Sequence, residues 1–161
     1  MSIRVVLFAV LATLAACSPM TADAGQKTAA VAPARHPESG LEVVPLSIAS
    51  ANGRHAFRVE VARSEPEQAK GLMFRTAMGA DEGMIFPMEP ARQASFWMKN
   101  TVIPLDLVFI GPDRRIESIA ANAVPYSLSP ISSKGAVSAV LELNGGRAAQ
   151  FGLAPGDRVE W

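Results

Sequence analysis

The chain has 161 residues and a mass of 17.0 kDa, room for one domain, with 15 basic against 15 acidic side chains, one Cys and two His. Charged residues make up 19% and apolar residues 49%, which excludes disorder of the whole because enough apolar surface is present to offset chain entropy. With no net charge there is no long-range field to gather phosphate backbones, so nucleic acid is not an expected partner.

Residues 2–17 read SIRVVLFAVLATLAAC: one basic residue, Arg4, an unbroken apolar run, and small residues at Ala15 and Ala16. This is the pattern of a secretory signal peptide, residues 1–16. From Val5 to Ala16 a helix would extend only about 18 Å, too short for a hydrocarbon core of about 30 Å. Leu14-Ala15-Ala16-Cys17 also resembles the lipobox of bacterial lipoproteins, in which the Cys is acylated and heads the mature chain. The alternative is an ordinary signal peptide with a chance Cys at its end. By the same resemblance, Ser18 rather than Asp after the Cys implies an outer-membrane lipoprotein facing the periplasm; a soluble periplasmic or secreted protein is the other reading. A lipidated Cys17 leaves the domain without a thiol, hence without a disulfide, a thiolate zinc site or a cysteine nucleophile.

From Cys17 to Gly40 the chain is rich in Ala, Pro, Thr and Ser and reads as the lipidated Cys followed by a flexible tether, with His36 solvated within it. The domain is then expected over residues 41–161. Phe57-Arg58-Val59-Glu60-Val61 alternates with period two, so Phe57, Val59 and Val61 should face a core. Ser64-Glu65-Pro66-Glu67 opens a helix that should carry Gln68, Ala69 and Lys70 into the segment GLMFR, with Ser64 as cap and Glu67 at the capping-box position. Leu105–Ile110, LDLVFI, suits a strand buried on both faces, and Arg115–Ala120 its hairpin partner beyond Gly111-Pro112-Asp113. Ala136–Leu143 is another strand, stopped by Asn144-Gly145-Gly146; Arg147–Phe151 a short helix ended by Gly152; and Arg158–Trp161 a last strand. The sum is a mainly β domain, α+β by content, with one or two short helices.

Gly71-Leu72-Met73-Phe74-Arg75, Gly83-Met84-Ile85-Phe86, Phe96-Trp97-Met98-Lys99-Asn100-Thr101, Ile103-Pro104-Leu105-Asp106 and Leu141-Glu142-Leu143 with Gly145-Gly146 follow one another in an order and spacing that resembles the DUF192 family. The resemblance covers about residues 56–161 and implies a single compact β-sandwich-like domain. That family is a domain of unknown function, so no reaction comes with it. One local departure is Gly111-Pro112-Asp113-Arg114, which stands in place of the acidic-glycine turn the resemblance implies after LDLVFI.

Polar residues inside these apolar blocks are the candidate site: Arg75, Lys99, Asn100, Thr101, Asp106 and Glu142, with Trp97 and Phe96 as an apolar wall. They could form a structural network in which Lys99 or Arg75 pairs with Asp106 or Glu142. Alternatively they line a shallow pocket for a small polar ligand or a partner, with Arg75, Lys99 and Asn100 anchoring it and Asp106 and Glu142 orienting the cations. Binding without catalysis is the expectation, and no cofactor is expected. Three alternatives remain. One is a hydrolase acting on an envelope polymer through Asp106 and Glu142, which requires both in one cleft. Another is a Cu(I) site of thioethers, since five of the seven methionines fall within residues 73–98, with Met73, Met84, Met88 and Met98 as ligands. The third is a structural or interaction module without a ligand. Phosphate-cradling motifs are absent, and neither GxxxxGK[ST] nor GxGxxG occurs.

Overall fold

Seven strands and two short helices form: β1 (Val43–Ser50), β2 (Gly53–Val61), α1 (Glu65–Lys70), β3 (Glu82–Phe96), β4 (Leu105–Ile110), β5 (Ile116–Ala123), β6 (Ile131–Asn144), α2 (Arg147–Gln150) and β7 (Arg158–Glu160). The computed structural model describes residues 34–161; the signal peptide over 1–16, the lipidation at Cys17 and the tether as far as residue 33 lie outside the described residues. All seven strands belong to one sheet, in the order β5-β4-β6-β3-β2-β1-β7. Neighbours are antiparallel except β2 and β3, which are parallel because the connection carrying α1 crosses over between them.

The sheet curls until its two edges meet. The Ile116 N–H donates to the Asp157 carbonyl at 2.9 Å, the Val159 N–H donates to the Arg114 carbonyl at 2.8 Å, and Arg115 bridges Arg158. The mainly β domain with two short helices is thus what forms, and its two layers are one sheet folded over on itself. Inside the curl Leu46, Ile48, Phe57, Val59, Val61, Ile85, Val108, Leu141 and Leu143 pack together, closed by Ala148 of α2 and Val159 of β7. On the outer face Met84, Phe86, Met88, Leu105, Leu107, Phe109 and Val140 form a second core, covered by Leu72 and Met98 from loops. Each such side chain contributes roughly 1.5–3 kcal/mol on burial. β4 lies against both cores, so all six residues of LDLVFI are buried, as a segment apolar but for Asp106 predicts.

Three elements depart from the sequence expectation. β1 and β3 are strands that hydropathy did not show. In β3, Pro87 and Pro90 hide the signal, and the structure tolerates them because its pairing with β6 is broken between Pro87 and Arg92. α1 ends at Lys70 and does not run on into GLMFR. Gly71 adopts φ 47° and ψ −134°, and a β-carbon there would lie 3.4 Å from the Phe86 ring, so the turn after the helix rests directly on the outer core. The tether also ends sooner than expected. From Ala34 the chain lies along the sheet, with Arg35 bridging Glu42 and His36 Nδ1 3.7 Å from the Glu60 carboxylate, so His36 is packed rather than solvated.

Candidate functional site

α1 is pinned before it can form a wall of the site. Its capping box is complete: the Glu67 N–H donates to Ser64 Oγ, and the Ser64 and Arg63 N–H groups donate to the Glu67 carboxylate at 2.8 Å, which holds Glu67 below the usual carboxylate range. Gln68 Nε2 donates to the carbonyls of Ala62 and Pro87 at 3.2 and 2.9 Å, tying the helix to the residue that follows β2 and to β3.

Opposite α1, β3 is thrown off its ladder twice. Residues 88–91 bulge from β3, and further along residues 133–135 bulge from β6. The second bulge is fixed by Ser133, whose Oγ accepts the Ala94 N–H at 3.0 Å and donates to the Gly135 carbonyl at 2.7 Å. Between α1, the Gly71 turn and this displaced strand opens a cleft of about 390 Å³, within the size range of small-molecule sites. Phe86, Met73, Met88 and Phe96 form its apolar lining, Trp97 and Thr101 stand at one end, and Lys70 and Arg92 are exposed at its rim. Phe86 and Phe96 meet edge to face at 5.1 Å, which stiffens that wall.

Glu142 of β6 is the one carboxylate of the lining. It is 5% exposed, and among the described residues it makes neither an ion pair nor a side-chain hydrogen bond. Burial away from water pushes its carboxyl up to about 8. The Glu142 oxygens have no protein partner and keep contact with the open cleft, where a ligand or water can reach them.

The expected site residues do not all come together. Trp97, Thr101 and Glu142 line the cleft. Arg75 lies in a neighbouring depression with Phe74 and Glu38, 5% exposed, gripping Glu60 through two nitrogens at 2.9 and 3.2 Å and Glu38 at 3.1 Å. Burial opposes its charge, but the hydrogen bonds and charge of Glu60, with Glu38 and Glu82 beyond, more than offset this and raise it above the ordinary arginine value. Lys99 is exposed, its Nζ 5.2 Å from the centre of the Trp97 ring. Asn100, at φ 55°, gives its carbonyl to the Phe74 N–H at 2.8 Å and its amide to the Met73 sulfur at 3.9 Å.

Asp106 is elsewhere. Leu107 faces Glu142 across the β4–β6 ladder, so Asp106, one residue away, points to the opposite face of the sheet. There, fully buried, its Oδ1 accepts the N–H groups of Asn122 and Gly146 at 2.8 and 3.0 Å, and its Oδ2 that of Ala148 at 2.8 Å. It caps α2, whose own N-cap is the side-chain-less Gly146. Two expectations are corrected by this. Asp106 and Glu142 do not share a cleft, so they cannot act as an acid–base pair. Neither carboxylate orients Arg75 or Lys99 either, because Arg75 is held by Glu60, on the face of β2 that alternation assigns to solvent and the GLMFR turn covers.

Of the four methionines considered as metal ligands, Met73 and Met88 line the cleft while Met84 and Met98 are 1% exposed in the core beneath it. Among the described residues no group of three or more His, Cys, Asp or Glu could hold a metal ion. Beside the cleft three loops expose Phe74, Trp97, Val124, Tyr126 and Leu128. Phe74 and Tyr126 have φ of 65° and 61°, a costly conformation for an aromatic residue, and the Tyr126 N–H bonds the Thr101 carbonyl at 3.2 Å.

The profile of the DUF192 family, described as an uncharacterized ACR, matches residues 47–161. The chain belongs to the DUF192 family. This DUF192 domain is similar to two crystal structures. One is a protein of unknown function from Novosphingobium aromaticivorans, 59% identical, with 82% of this chain and 94% of that one covered and a TM-score of 0.79. The other is a protein from Sinorhizobium meliloti named as a candidate transcription regulator, 40% identical over 74% of this chain and 94% of that one, with a TM-score of 0.72. No curated protein matches the chain.

Lys70, Arg92 and Gly71 of the cleft escaped sequence reasoning. Gly71 carried a signal, a glycine at the end of a capped helix; Lys70 and Arg92 look like any solvated cation until the bulge of β3 brings them to one rim.

Proposed function

We propose that this DUF192 domain is a binding module without catalysis, whose ligand sits in the cleft over Glu142, and that Cys17 anchors it by lipid in the cell envelope. The observation that carries the binding reading is Glu142: a buried carboxyl with no protein partner among the described residues, at the floor of an open cleft lined by both polar and apolar side chains. A ligand donor to this group would make a hydrogen bond worth about 0.5–1.5 kcal/mol, more where either partner is charged. Trp97, half-exposed at the cleft mouth, supplies apolar contact and a fluorescent reporter. The anchoring reading rests on the sequence pattern around Cys17.

Saturation-transfer NMR of the full chain against a panel of envelope metabolites and glycans tests the binding reading. Compounds contacted by the wild type should lose contact in a folded Glu142→Gln variant; an unchanged profile, or none in either protein, would overturn it. Anchoring is checked by palmitate labelling in cells, which Cys17→Ser should abolish. A Cu(I) reading has one observation in its favour, since Met73 and Met88 share the cleft. It predicts that the protein competes successfully with a chelator for Cu(I) and that Met73→Leu with Met88→Leu abolishes this.

A further inference from the structure

The cleft has a definite charge layout. Its single carboxylate, Glu142, lies at the floor, and two cations, Lys70 of α1 and Arg92 of β3, stand exposed at the rim without an ion pair among the described residues. The walls between are mixed: Phe86, Phe96 and Trp97 give apolar and aromatic surface, and Gln68, Gln93 and Ser95 give polar groups. We infer that the cleft takes a small zwitterion with an apolar body, such as an amino acid, with its ammonium group on Glu142 and its anionic group toward Lys70 and Arg92. This rests on the reading of the cleft as a binding site.

Three physical arguments select this class. An anion alone would gain only from two exposed, solvated cations, up to about 1 kcal/mol each, while leaving the buried carboxyl unpartnered. A cation alone would satisfy Glu142 and gain from the aromatic faces, but it would meet Lys70 and Arg92 with nothing to offer them. A zwitterion answers both: the ammonium makes a charge-assisted hydrogen bond where water is scarce, and the opposite end is drawn outward to the rim. The depression beyond Arg92 is lined also by Arg63, Glu65 and Glu89, two cations in all facing two carboxylates there. Burial keeps Glu142 mostly protonated near neutral pH, so an arriving ammonium displaces its proton to solvent and pairs with the carboxylate that is left.

The test is calorimetric titration of the full chain with five probes: L-leucine and ε-aminocaproate as zwitterions of short and long charge separation, isoamylamine without the carboxylate, hexanoate without the ammonium, and methyl glucoside as an uncharged polyol. At least one zwitterion should bind tenfold or more tightly than both isoamylamine and hexanoate. Glu142→Gln should remove that binding, and Lys70→Ala with Arg92→Ala should bring the zwitterion down to the affinity of isoamylamine. If methyl glucoside or a singly charged probe binds as well as either zwitterion and depends on Glu142, the zwitterion inference fails while the cleft remains a binding site. If none of the five binds, the inference is overturned, and the metabolite panel then decides the broader reading by itself. Near-ultraviolet circular dichroism of each variant shows whether it is folded, and a zwitterion affinity unchanged in folded Glu142→Gln would refute the placement of the ammonium.

Discussion

Raising the pH should weaken the fold through Glu142, by an amount that can be worked out. Its carboxyl titrates near 8 in the folded protein, pushed up by burial, against an ordinary value of 4.5 when the chain is unfolded. Between these values the unfolded chain has released the proton while the folded one still holds it, so stability falls as pH rises. Sensitivity is about 1.36 kcal/mol per pH unit, and the gap from 4.5 to about 8 therefore comes to roughly 5 kcal/mol, an upper bound, fully lost once the folded group also ionises. Glu142→Gln keeps the shape and cannot ionise. Urea denaturation of wild type and variant across this pH range isolates the one group, because all other titrations cancel in the difference. The two proteins should be similar in stability near pH 4.5, and the variant should gain steadily up to about pH 8, then level off. A difference that stays flat with pH would refute the reasoning, and would mean that water or a neighbouring group reaches the carboxyl.

Other substitutions separate structural roles from binding. Asp106→Asn should cost about 3 kcal/mol in the same urea assay, since an amide cannot accept the backbone N–H groups of Asn122, Gly146 and Ala148 together; ligand contacts of any folded fraction should be unchanged. Arg75→Met should cost about 3–5 kcal/mol by stranding the buried Glu60, and Arg75→Met with Glu60→Leu should recover most of it, which would not happen if Arg75 served only a ligand. Gly83→Ala should destabilise by about 1–3 kcal/mol, read by thermal melting, because the new methyl would lie 2.6 Å from the Glu142 carbonyl oxygen and 3.0 Å from a Leu143 methyl.

Local chemistry settled a large part of this domain before any tertiary contact. The alternation of Phe57, Val59 and Val61, the apolar run of LDLVFI around Asp106 and the Ser64–Glu67 box each act within a few residues, and each is realised as the sequence implies. The five blocks carried family membership for the same reason, since order and spacing are properties of the chain itself. What the sequence could not decide depends on which face a residue takes and what covers it. Asp106 and Glu142 look alike, each a carboxylate in an apolar strand, yet a single step of register between β4 and β6 sends one to cap α2 and the other to the floor of the cleft. Arg75 lies fifteen residues from Glu60, its partner, and only the parallel crossover through α1 brings them together. The cleft itself comes from two bulges in paired strands, a mismatch between distant segments that no single segment contains. Hydropathy reports the cost of burying a residue; the curl of the sheet determines the face it is buried on and the partner it meets there.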